Sequence, residues 1–189
     1  MRSMLKTQII LAGIGGQGVL FASRIFSELG LRKGLNVLGS ETLGMSQRGG
    51  SVIAHLKLGD FHSPLIRIGA ADILYSFAEG ETYRTLKFLR DGGVCFVNLK
   101  DHRSIDPPIM LHLEGKGIVF RTFDAGEAAS RMGSTRSANI LLIGYSVGTG
   151  LVPFQYDDIK SVLETVSRPE ILETNLEAFD LGVRHGSNA

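Results

Sequence analysis

Two short segments of this chain hold residues whose types and spacing suit an anion. One is Gly13-Ile14-Gly15-Gly16-Gln17-Gly18; the other is Glu41-Thr42-Leu43-Gly44-Met45-Ser46-Gln47-Arg48-Gly49-Gly50-Ser51. Glycine tolerates positive φ in a tight turn and leaves no Cβ between backbone N–H groups and an approaching oxyanion. A helix beginning near Gly18 would aim its unpaired N–H groups and positive dipole end at the same spot. In the second segment, the planar fork of Arg48 suits phosphate or carboxylate, and Gly49 and Gly50 let the backbone pass close by. The chemistry implied is the holding of a phosphorylated ligand. The same patterns also fit a strand that merely turns tightly into its helix, and an exposed loop with an incidental arginine. No residue stands out as a general acid, base or nucleophile.

Elements on either side must position these segments. The apolar run Gln8–Ala12 reads as a buried strand entering the glycine turn. Val19, Ala22, Phe26 and Leu29 then mark one face of a helix ending near Gly30 and Gly34, followed by a second strand, Leu35 to Gly39. Both polar segments would therefore leave the carboxyl ends of strands on one rim, where open α/β sheets bind ligands. Ser51 to Leu58 alternates, placing His55 and Lys57 on an exposed face, and Gly59-Asp60 predicts a hairpin into residues 61–68. Strands are expected at Ile73 to Phe77, Val94 to Leu99 and Ile118 to Phe123. A helix from Gly80 to Arg90 turns Tyr83, Leu86 and Leu89 inward, and Asp106-Pro107-Pro108 reads as a loop. Helices follow over Gly126–Met132, Ser137–Gly150, Asp157–Val166 and Glu170–Val183. The pattern predicts a single α/β, Rossmann-like domain over residues 1–189, its mostly parallel sheet carrying an edge hairpin, with several C-terminal helices. Gly144 and Gly148 permit a close backbone approach, either internal or at a subunit contact, the latter allowing a homodimer.

Bulk properties narrow the function. The chain has 189 residues, 20 Lys+Arg and 19 Asp+Glu, and a formal charge of +1, with no basic block interleaved with aromatics, so nucleic acid is not an expected partner. The only cysteine, Cys95, lies in the apolar run Val94–Val97 and reads as a buried hydrophobe. One cysteine makes no internal disulfide and holds no iron–sulfur cluster, which takes about four thiolates. The histidines have no metal-ligand spacing. The apolar run after Met1–Lys6 is short and enters the glycine turn, which points to a cytoplasmic protein. Glycines and polar residues interrupt Ile140 to Val152, which falls short of the roughly 20 residues that span a bilayer, so no membrane is expected.

Taken together, Gly13-Ile14-Gly15-Gly16-Gln17-Gly18 and Gly44-Met45-Ser46-Gln47-Arg48-Gly49-Gly50-Ser51-Val52 resemble the gamma domain of the 2-oxoacid:ferredoxin oxidoreductases. The Met-Ser-Gln form most resembles the beta subunit of the indolepyruvate enzymes. Ser137-Ala138-Asn139-Ile140-Leu141-Leu142-Ile143-Gly144 and Asn175-Leu176-Glu177-Ala178-Phe179-Asp180-Leu181-Gly182 resemble the family's late helices, so the likeness spans nearly the whole chain. It implies a subunit of an enzyme that decarboxylates a 2-oxoacid oxidatively, passes the acyl group to coenzyme A and reduces ferredoxin. Thiamine diphosphate, Mg2+ and 4Fe–4S clusters would belong to partner subunits, with ferredoxin an indirect partner, and this chain would share the coenzyme A site. On that resemblance, Gly13, Gly15, Gly16, Gln17 and Gly18 frame the phosphates, Arg48 supplies charge, and Ser46, Gln47 and Asn139 offer hydrogen bonds beside Gly49 and Gly50. The resemblance implies no catalytic residue and no metal ligand in this chain. Other readings are a free-standing NAD-binding domain with Glu41 on the ribose, an adenylating domain, and a structural assembly subunit whose glycine turn holds nothing.

Overall fold

The computed structural model describes residues 6–43, 49–100 and 105–189. Its centre is a six-stranded sheet in the order β2-β3-β1-β4-β5-β6. The strands are β1 (Thr7–Ile14), β2 (Val37–Leu43), β3 (Ser51–Leu58), β4 (Ala71–Ser76), β5 (Leu89–Asn98) and β6 (Val119–Phe123). β1, β4, β5 and β6 are parallel; β3 runs antiparallel to both β1 and β2. The helices are α1 (Val19–Arg32), α2 (Glu79–Thr85), α3 (Pro107–Gly115), α4 (Ala125–Arg131), α5 (Ala138–Gly148), α6 (Tyr156–Val166) and α7 (Pro169–Gly186).

The sheet is covered on both faces. On one, α1 and α4 to α7 bury Ile9, Leu11, Phe26, Leu56, Tyr75, Phe96 and Phe179. Phe26 stacks on Tyr75 at 5.2 Å between ring centroids, and Tyr75 on Phe96 at 5.5 Å. Such aromatic pairs add about 0.5–1.5 kcal/mol beyond their buried area. The Tyr75 hydroxyl is kept off the apolar layer by a 2.7 Å hydrogen bond with Ser146 Oγ. The second face packs Ile10, Leu74, Cys95, Val97 and Leu113 beneath α3 and the turn after α2. Cys95 is fully buried there, and burial pushes its thiol pKa up.

Helices α5 and α7 meet backbone to backbone. A Cβ on Gly144 would strike the Phe179 carbonyl oxygen, one on Gly148 that of Val183, one on Gly182 that of Leu141, and one on Gly186 that of Tyr145. The close approach offered by Gly144 and Gly148 is thus used inside the chain, between α5 and α7.

Four local expectations give way. The edge hairpin exists, but β3 pairs with β2; residues 61–68 form no strand. His55 and Lys57 are buried, because that irregular segment folds back over them: His55 Nδ1 accepts from the Ile66 N–H at 3.1 Å, and its ring meets Phe88 edge-on at 5.2 Å. The Asp106-Pro107-Pro108 segment opens α3, since proline at the first helical turn loses no hydrogen bond. Finally, α2 ends at Thr85 and Tyr83 faces outward, while Leu89 starts β5.

Candidate functional site

The β1–α1 turn is fixed by its own short-range bonds. The Ile14 N–H donates to Gln17 Oε1 at 2.8 Å, and the Gln17 N–H to the Ile14 carbonyl at 3.0 Å. Gln17 therefore closes the turn with both its side chain and its backbone. Gly16 and Gly18 sit at φ +100° and +77°, conformations closed to most other residues. Gly13 is required for space: a Cβ there would come within 2.9 Å of Gln17 Oε1 and Val19 Cγ2. The first turn of α1 has no side-chain cap and no acidic residue, so neither a capping side chain nor a carboxylate of that turn competes for its leading N–H groups and positive dipole end.

The second segment reaches the same rim. In the sheet register Leu43, Val52 and Gly13 lie abreast on β2, β3 and β1, so the β2–β3 connection leaves beside the glycine turn. A 2.8 Å hydrogen bond from the Gly15 N–H to the Gly50 carbonyl joins the two directly. Gly49 takes φ +82° one residue earlier. Ser51 Oγ then donates to Glu81 Oε2 at 2.6 Å, pinning the start of β3 to α2. Ser46, Gln47 and Arg48 lie outside the described residues. On the other side, the Phe77 N–H donates to the Ala12 carbonyl at 2.8 Å, holding the end of β4 against β1. Here the chain after β1 goes to one face as α1, and that after β4 to the other as α2, which is the switch point where open α/β sheets take ligands.

Asn139 approaches the turn from below, on α5. It is 3% exposed, and its Nδ2 donates to the Gly18 carbonyl at 3.1 Å. Of the turn's N–H groups, those of Gly15 and Gln17 already have acceptors, so any bond to an anion falls to Gly16, Gly18 and the start of α1. Glu41 does not sit beside the turn. It lies on β2, paired with Ala54, and β3 separates β2 from β1, whereas a ribose-binding acid belongs at the end of the neighbouring strand.

The family model for pyruvate ferredoxin/flavodoxin oxidoreductase matches residues 8–185. The chain belongs to that family. Among curated family members, it is 33% identical over 194 residues to indolepyruvate oxidoreductase subunit IorB of Thermococcus kodakarensis, with 96% of each chain covered. The gamma subunit of keto/oxoacid ferredoxin oxidoreductase from Geobacter sulfurreducens shares its fold, with TM-score 0.74, 24% identity, and coverage of 97% of this chain and 99% of that one. So does 2-oxoglutarate:ferredoxin oxidoreductase from Magnetococcus marinus, solved with 2-oxoglutarate, coenzyme A and succinyl-CoA bound. There the TM-score is 0.78 at 20% identity, and the match covers 97% of this chain but 31% of that longer one. The related family members are subunits of 2-oxoacid:ferredoxin oxidoreductases. Among the described residues, no helix is long and apolar enough to cross a membrane.

Proposed function

We propose that this chain is the gamma-type subunit of a cytoplasmic 2-oxoacid:ferredoxin oxidoreductase acting on an aryl pyruvate such as indolepyruvate, and that its glycine rim forms the coenzyme A side of a cleft completed by a partner subunit. The observation that carries the reading is the Gly15–Gly50 hydrogen bond, which fastens the two anion-suited segments together at the open end of the sheet. The donor set fits a diphosphate. Gly16 and Gly18 curve the backbone into a concave turn, α1 adds uncapped N–H groups, and no acid in its first turn opposes a negative charge. In this reading Arg48, which lies outside the described residues, supplies the balancing positive charge.

The decarboxylation itself is assigned to the partner. Thiamine diphosphate with Mg2+ supplies the carbanion chemistry there, and 4Fe–4S clusters carry the electrons to ferredoxin; a single buried cysteine cannot ligate a cluster here. What this chain does is bind and orient: it holds the phosphates of the acyl acceptor so that the thiol end projects from the rim toward the partner's reacting carbon. The purified chain alone is expected to be inactive. Mixed with its partner, it should support reduction of an electron acceptor that depends on both 2-oxoacid and coenzyme A; turnover by the isolated chain would contradict the proposal.

A further inference from the structure

Next to the glycine turn lies a cleft of about 640 Å³, within the size range of small-molecule sites. It is lined by Gly16, Gly18 and Asn139 and by three arginines from separate elements: Arg24 on α1, Arg136 in the short turn before α5, and Arg168 at the cap of α7. All three are exposed, and among the described residues none has a carboxylate within 4 Å. Among the described residues, Glu170 is the only acid in the lining. Gathering three guanidinium groups around one opening against a single carboxylate costs repulsion that a bound anion relieves.

An independent observation marks the same place. Asn139 is buried, and because its Nδ2 must face the Gly18 carbonyl, its Oδ1 is fixed as the other end of the amide. Among the described residues, that oxygen has no hydrogen-bond partner. A buried acceptor left unpaired is rare, and Asn139 is one of the residues that line the cationic cleft.

Taking the coenzyme A reading as its basis, we propose that this cleft holds the ribose end of the ligand. Its phosphate monoester lies among Arg24, Arg136 and Arg168, a ribose hydroxyl donates to Asn139 Oδ1, and the diphosphate rests on the glycine turn. Arginine forks suit a terminal phosphate dianion, which presents more free oxygens than a diester does. The cleft therefore makes the enzyme distinguish coenzyme A from its 3′-dephospho form.

The test uses the assembled enzyme, comparing KM for coenzyme A and for 3′-dephospho-coenzyme A. The unmodified enzyme should prefer coenzyme A roughly 10- to 100-fold, as expected when one charged hydrogen-bonding group is removed. The double variant Arg136→Gln, Arg168→Gln should bring the ratio near unity by weakening coenzyme A alone, with KM for the 2-oxoacid unchanged, and lysine at both positions should restore part of the preference. A ratio that survives the double variant overturns the arginine assignment. The underlying reading fails separately if Gly16→Ala alters the KM of neither form. NADP supplies a ribose phosphate from another source; inhibition by NADP below the KM for coenzyme A would overturn coenzyme A as the occupant.

Discussion

The seam between α5 and α7 and the turn between β1 and α1 are both built on glycine, for opposite reasons. In the seam, every added Cβ would land on a backbone carbonyl of the facing helix, and each of these glycines is helical. Its glycines are there for absent volume. In the turn, a Cβ on Gly16 would meet nothing within 4 Å, yet its φ of +100° excludes other residues. This glycine serves conformation and open access, and the empty space next to it lies in the cleft. Volume-driven glycines report on stability, and conformation-driven ones on the ligand.

The largest effect is expected at the seam. Gly182→Ala sets a methyl group against the Leu141 carbonyl, where backbone must move, at about 2–3 kcal/mol, only partly offset by the better helix propensity of alanine. A thermal melt of the isolated chain should fall by roughly 5–10 °C. Retention of the parent melting temperature would show that the helices are not so tightly joined.

Gly18 lies between the two cases, and so sharpens the contrast. Its φ is +77°, and a Cβ would also collide with Asn139 Nδ2, a side chain that can yield. Gly18→Ala should cost about 1–2 kcal/mol in urea denaturation and raise the KM for coenzyme A about tenfold, the loss of one charge-assisted bond. A stability loss with unchanged KM would move Gly18 to the structural class.

The smallest effect tests a site outside both regions. Burial, and then the neighbouring Lys57, lower the His55 pKa, and its neutral Nδ1 accepts from the Ile66 N–H. The unfolded chain binds this proton more readily, so stability is constant above about pH 6.5 and falls as pH drops below that value. Urea midpoints at pH 7.5 and 5.5 should differ less in His55→Gln than in the parent; an equal pH dependence would show that His55 contributes nothing to it.

Much of this architecture is legible in the sequence because it is written in local signals. The stripe Val19, Ala22, Phe26 and Leu29, the apolar run before Gly13, and the late amphipathic helices all act over one or two turns of chain. Pairing partners are not local. The sequence does not reveal that β3 inserts between β1 and β2, nor that residues 61–68 cover His55 and Lys57, because polar side chains in an alternating strand read as solvent-facing until a distant segment supplies a backbone donor. Proline 107 and its neighbour look like a break because the same residue both ends helices and starts them. At the site, the glycine turn and its companion segment are recognisable from residue type and spacing. Arg24, Arg136 and Arg168 are invisible: each is a single arginine in an ordinary context, and only the folding of α1, α5 and α7 around one opening gathers them.

Gly16→Ala in the assembled enzyme isolates the role of the glycine turn, since among the described residues the new methyl group meets nothing within 4 Å beyond its chain neighbours. The positive-φ strain is expected to cost about 1–2 kcal/mol, and KM for the 2-oxoacid should be unchanged while KM for coenzyme A rises about tenfold, as when one charge-assisted bond is lost. A coenzyme A KM equal to that of the parent enzyme would contradict the account.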